Sequence, residues 1–299
     1  MPKPNQNDTI ERVPGRNGQW FVLAAALLWG TTGTAQAFAP EGAQPAVVGA
    51  VRLVIGGLAL LVLATARGVL RDLKGWPLLP TALAAVCMAA YQVFFFEAVA
   101  KTGVAIGTIV AIGSAPLFAG GLGFLVRREV PGFRWMVATL LAVAGCALLI
   151  VPKAEVSVSP VGVVLALGAG IAYATCTVAA KGLLEKRPPD AVMAVLFCLA
   201  AILLVPLLFI GNLTWLSEGR GIAVALHLGL VATAASYTLF ARGLGVVPVA
   251  TAVTLGLAEP FTAACLGVVL LAERLTGSAM LGAGLILAGL VMLSMPKKS

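Results

Sequence analysis

Charge is the scarcest ingredient of this sequence. Asp, Glu, Lys and Arg make up 11% of its 299 residues, against roughly a quarter in a soluble domain. A water-facing shell cannot be assembled from so little charge, so the solvent around most of the surface must be lipid. Histidine occurs once, as His227, which argues against a metal centre and leaves no Ser/His/Asp set to assemble. HExxH and Gly-rich phosphate loops are also missing, so no enzyme, metal or cofactor is expected. The five cysteines, Cys87, Cys146, Cys176, Cys198 and Cys265, lie inside apolar runs without a CxxC partner and read as small core residues. Polar–apolar alternation is absent too, which excludes the strands of a membrane barrel. The polar stretch Met1–Gln19 has no A-x-A cleavage pattern, so the first apolar run is expected to act as its own insertion signal.

Apolar residues are abundant: 60% of the chain, with a mean hydropathy of +1.03. At ~20 residues per span, ten spans use about 200 residues, leaving short loops and no separate soluble domain. The runs between charges, Gly and Pro predict Gly18–Gln36, Val47–Ala66, Trp76–Val99, Val104–Val126, Phe133–Val151, Pro160–Gly182, Ala191–Gly211, Gly221–Ala241, Val249–Leu271 and Gly277–Met295. The expected fold class is an all-α polytopic membrane protein of ten transmembrane helices.

The sequence matches itself at a spacing of 144 without a gap: Pro116 falls on Pro260, Glu129 on Glu273, Pro152 on Pro296, Gly145 on Gly289, Glu41 on Glu185 and Pro45 on Pro189. This divides the chain into a polar N-terminus (1–17), a first repeat (18–152) and a second repeat (160–296). Each repeat holds five spans. An odd unit followed by its copy enters the membrane from the opposite side, so the repeats are expected to be inverted. Charge agrees. With the N-terminus inside, fifteen Lys and Arg fall on the inner side and four on the outer, while Arg52 lies within a span. The expected location is the inner membrane, multi-pass, with both termini cytoplasmic. The net charge of +8 is thus a topology signal. Because the basic residues sit between apolar runs and form no cluster, nucleic acid is discarded as a partner.

Inverted repeats place a central site near the midplane, at interrupted helices. Pro116 and Pro260 lie about halfway along their spans, where a proline frees a carbonyl and kinks the helix. Glu259 precedes Pro260. A mid-membrane acid costs ~2.5–3.5 kcal/mol, so it is a candidate for binding a substrate ammonium or relaying a proton. Its mate in the first repeat is Ala115, with Ser114 beside it. Tyr91 and Gln92 in span three, and Ser236 and Tyr237 in span eight, offer hydrogen bonds. Trp29 and Tyr173 are repeat mates whose rings can sandwich an apolar side chain. Arg52 either snorkels outward or meets a carboxylate. Small residues at four-residue spacing in span six (Gly162, Ala166, Gly170, Ala174) leave intramolecular packing and a homo-oligomer both open.

Leu28-Trp29-Gly30, the Ala50-x-Arg52 pattern, the run Ser236–Leu244 and Leu257-Ala258-Glu259-Pro260-Phe261 followed by Glu273-Arg274-Leu275 together resemble the EamA-type branch of the drug/metabolite transporter superfamily. Within it the chain is most similar to the YddG-type exporters of aromatic and other nonpolar amino acids. The resemblance implies ten helices, cytoplasmic termini, a central cavity lined by spans one, three, four, six, eight and nine, and metabolite export. The first repeat departs from the pattern, since Ser114-Ala115-Pro116 lacks the acid. The expected partners are a small-molecule substrate, an amino acid or similar metabolite, and membrane lipid. Export of other metabolites or drugs is the nearest alternative. A carrier of phosphorylated or nucleotide sugars would need several mid-depth cations, and a scramblase would move lipid without solute.

Overall fold

In the computed structural model, residues 15–71, 73–150, 159–271 and 276–295 are described. Residues 1–14, Lys153, the Glu273-Arg274-Leu275 motif, Pro296, Lys297 and Lys298 lie outside them. The chain folds into helices α1 (Gly15–Ala37), α2 (Pro45–Ala66), α3 (Leu78–Gly103), α4 (Ile106–Arg127), α5 (Phe133–Ile150), α6 (Pro160–Leu184), α7 (Pro189–Ile210), α8 (Gly219–Leu244), α9 (Val249–Leu270) and α10 (Gly277–Ser294). No strand occurs among the described residues. Eight of these helices are long and apolar enough to cross a membrane; α5 is a shorter apolar helix over Phe133–Leu149, and α1 carries Asn17 and Gln19 in its first turns.

Local chemistry explains the boundaries. Pro45, Pro160 and Pro189 occupy the first turns of α2, α6 and α7, where the missing N–H costs nothing. Ser159 and Thr276 accept hydrogen bonds from the N–H groups of Gly162 (3.4 Å) and Ala279 (3.2 Å), capping α6 and α10. Gly103, at φ +80°, turns the chain between α3 and α4 in the left-handed region that a side chain disfavours.

The outward faces carry large apolar side chains, among them Leu78, Leu140, Val164, Phe209 and Val269, as lipid contact requires. Inside, alanine and glycine let backbones approach closely. Gly145 of α5 lies against the carbonyl of Gly282 and Ile286 of α10, while Gly289 of α10 lies against the carbonyl of Ala138 and Ala142 of α5. Likewise Gly18 packs on Val246 and Val247, and Gly162 on Lys101 and Thr102. Adding 144 to one partner and subtracting it from the other converts Gly145–Gly282 into Gly289–Ala138, Gly145–Ile286 into Gly289–Ala142, and Gly18–Val246 into Gly162–Thr102. The small-residue stripe of α6 is buried against α3 and α4: Gly162 meets Ala98, Lys101 and Thr102, and Gly170 meets Ala111 and Ser114. It serves packing within the chain.

Gly145→Ile forces a side chain into the Gly282 carbonyl and is expected to destabilise the fold by about 1–3 kcal/mol. Gly284, with open space where its side chain would be, is the control. A thermal melt in detergent should fall for Gly145→Ile and hold for Gly284→Ile.

Candidate functional site: a central aromatic cavity

Near the middle of the bundle, α1, α3, α4, α6, α8 and α9 surround a cavity of about 60 Å³. By the measure in which one water needs about 10–15 Å³, it holds a few waters. Trp29, Tyr91, Tyr173, Tyr237 and Glu259 line it, with Ala111, Ile112 and Ala115 of α4 and Val253, Gly256 and Leu257 of α9 completing the wall. The chain has three tyrosines, and all three face this one space.

Helix geometry puts Glu259 there. Pro260 has no N–H to offer the carbonyl of Gly256, so regular hydrogen bonding fails one turn earlier. The helix stops at Leu255 and restarts at Ala258, with the Glu259 N–H reaching the Gly256 carbonyl at 2.9 Å. Glu259 thus stands in the first turn of the second half-helix. Its counterpart α4 behaves differently: the helix runs through Pro116 without a break. The expected matched pair of interruptions is a single one, in α9.

The rings form two groups. Tyr237 packs on Phe197 (4.3 Å between centroids) and Trp29 (5.1 Å), and Trp29 on Phe240 (5.2 Å). Tyr91 packs on Tyr173 (5.5 Å) and Phe95 (5.8 Å). The ring bodies are fixed while their polar tips are free. The Trp29 indole N–H is buried with no partner. Among the described residues, neither the three tyrosine hydroxyls nor the Glu259 carboxylate has a hydrogen-bonding partner. Buried polar groups are normally satisfied, so this set is arranged for water or a polar solute.

Five of the ten sequence-selected residues therefore meet at the cavity and five stand outside its wall. Gln92 is buried with its amide nitrogen unpartnered. Ser114 donates to the Ala111 carbonyl (3.3 Å) and Ser236 to that of Ala232 (2.8 Å), so both hydroxyls serve their own helices. Pro116 and Pro260 are buried in α4 and α9.

Two features lay outside that set. Arg52 of α2 donates from Nε to Thr233 Oγ1 at 3.3 Å. Thr233 belongs to a π-helical stretch of α8, His227–Ala235, where its hydroxyl donates to Leu228 five residues back (2.8 Å). The second feature is an ionic cluster where α4, α6 and α9 meet at one end of the bundle. The Glu129 carboxylate accepts from Arg127 (3.0 Å) and from the backbone N–H of Val249 (2.8 Å), and pairs with Lys181 (3.3 Å). Arg127 also pairs with Glu185, Lys181 donates to the Val247 carbonyl, and Arg67 pairs with Asp190. Burial opposes ionisation of Glu129, but the Val249 N–H, Arg127 and Lys181 together outweigh it and hold the carboxyl below its ordinary range. The repeat matches of Glu129 and Glu185 hinted at this cluster.

Comparison with known proteins adds the following. The sequence model of the EamA-like transporter family matches residues 16–151 and again 160–295. The chain is 49% identical to the uncharacterized transporter YwfM of Bacillus subtilis over 278 residues, covering 92% of each chain. It is 30% identical to the threonine/homoserine exporter RhtA of Escherichia coli K12 over 278 residues, covering 90% of this chain and 88% of that one. A solved crystal structure superimposes with a TM-score of 0.80 at 22% identity, over 92% of this chain and 96% of the other. At that identity the likeness speaks to the fold alone.

Proposed function

This chain belongs to the EamA-like transporter family of membrane transporters, and on that premise we propose that it exports amino acids, aromatic and nonpolar ones foremost, by alternating access through the aromatic cavity. The observation that carries the reading is the cavity wall: three tyrosines and a tryptophan around one carboxylate, whose polar tips have no hydrogen-bonding partner among the described residues. Rings receive an apolar side chain, and a carboxylate receives an ammonium. The relation to RhtA, a threonine/homoserine exporter, supports amino acids as the class.

In this reading all ten helices cross the inner membrane as two inverted repeats, residues 18–152 and 160–296, with both termini cytoplasmic. The double family match, the exchange of contacts between halves and the charge bias support that arrangement. The Glu129 cluster then lies at the cytoplasmic end. It ties α6 and α9 to the α4–α5 turn and so fastens the inner side. The 60 Å³ cavity is smaller than the ~300–1,000 Å³ of ligand pockets, so it widens to load. Glu259 is the candidate proton relay. A phosphorylated substrate is disfavoured, because among the described residues Arg52 is the lone cation near the cavity.

Counterflow in proteoliposomes tests this. Vesicles preloaded with unlabelled phenylalanine, leucine, threonine or homoserine are expected to accumulate the same labelled amino acid for at least one of the four. Trp29→Ala should reduce that uptake on the order of 10-fold, the loss of roughly 1.4 kcal/mol of ring contact. Absence of counterflow for every amino acid, with an intact fold, would refute the reading.

A further inference from the structure

We infer that Arg52 is a specificity-determining residue that receives the substrate carboxylate, so that the site selects zwitterions over amines of the same shape. The inference rests on the amino-acid reading above and names the part of the substrate that Arg52 reads.

The direction of Arg52 follows from its helix. Positions 49, 52 and 56 share one face of α2. Gly49 on that face packs on Phe96 of α3, and Gly56 packs on Thr233 and the Gly229 carbonyl of α8. Arg52 lies between them and bonds Thr233. It therefore points into the seam between α3 and α8. Tyr91 and Tyr237, which line the cavity, come from those two helices.

The guanidinium is underused. It has five N–H donors, and one is bonded. Among the described residues no carboxylate pairs with it. Glu259, on the cavity wall, has no ion-pair partner among those residues either. A cation and an anion kept apart and unneutralised inside a membrane protein are retained for partners that come and go. An amino acid supplies both: its ammonium for Glu259 and its carboxylate for Arg52. Arg52 stands one layer behind the wall of the contracted cavity, and the widening that any amino acid requires brings the two together. The π-helical turn contributes by presenting Thr233, whose hydroxyl holds Nε and leaves the forked end of the guanidinium for a bidentate carboxylate. The buried, unpartnered Gln92 amide nitrogen beside Gly49 is a second donor in the same seam.

The test is competition against labelled amino acid in counterflow, using two pairs of unlabelled probes: phenylalanine against phenethylamine, and threonine against 1-aminopropan-2-ol. Each amine keeps the ammonium and side chain and lacks the carboxylate. Wild-type protein should prefer the amino acid at least roughly 10-fold in the pair it transports. Arg52→Gln should bring that ratio close to one by weakening the amino acid alone, and Arg52→Lys should give an intermediate ratio. An unchanged ratio in Arg52→Gln overturns the inference. If Arg52→Gln does not fold, the wild-type ratio decides, since equal competition by amine and amino acid overturns the inference without any variant. Absence of amino-acid counterflow in the wild type sinks the functional reading, and the inference with it.

Discussion

Glu259→Gln is expected to abolish proton-driven export while exchange of amino acid for amino acid survives at saturating substrate. Glu259 is the one carboxylate among the described residues on the cavity wall, placed in the first turn after the helix break at Gly256 and Leu257. With no ion-pair partner among the described residues it can alternate between a proton and a substrate ammonium. Glutamine keeps a carbonyl for the ammonium but takes up no proton, so KM rises and coupling disappears. In wild-type vesicles a one-unit pH gradient in one-to-one exchange supports about 10-fold accumulation, equivalent to about 1.4 kcal/mol. In the variant the same gradient should give none. Equal pH-driven accumulation by both proteins contradicts the relay role.

Glu129→Gln is expected to release the cytoplasmic closure. One carboxylate joins the α4–α5 turn to Lys181 of α6 and to the first N–H of α9. The amide that replaces it loses the charge-assisted part of all three contacts, about 1.5–3 kcal/mol for one such bond and less where solvent screens it. A shift of about 1–3 kcal/mol moves a two-state equilibrium about 5–150-fold. The inner side should therefore open more often, read as faster labelling of Thr251→Cys, placed beside Glu129 in the groove between α4, α5 and α9, by an impermeant thiol reagent from the cytoplasmic side. The pH dependence follows from the depressed pKa of Glu129. Its contribution is fully present above the ordinary carboxylate value of about 4.3 and is lost as pH falls through the lower folded value. Wild-type labelling should thus stay slow at neutral pH, where the cluster is intact, whereas the variant should be fast there. Identical rates at pH 7 contradict the role of the cluster.

The helices were readable from sequence because Pro, Gly and charge punctuate the apolar runs. Each described end lies within four residues of its expected position. Aromatic rings and an acid at mid-span were readable as cavity residues because nothing else at that depth explains their polar tips. Serine misled for a physical reason: a hydroxyl in an apolar helix can bond its own preceding turn, as Ser114 and Ser236 do, and then carries no information about a cavity. The prolines misled in part. Pro116 and Pro260 are equivalent in sequence, but only the second accompanies a break. Arg52 could not be placed without the π-helical turn of α8, which widens the helix where Thr233 meets it. Ionic closure across three helix ends is a property of their meeting, and sequence spacing alone does not show which ends meet.

The central claim is that one aromatic cavity opens in turn to each side of the membrane. Its most direct test is a single cysteine at Tyr173, in a chain whose five native cysteines are alanine and which retains counterflow. Impermeant thiol reagents applied to sealed vesicles should label this cysteine from the inside and, in a separate sample, from the outside, and a transported amino acid should slow both reactions. Labelling from one side only while exchange continues, or labelling that substrate leaves unchanged, would contradict the claim.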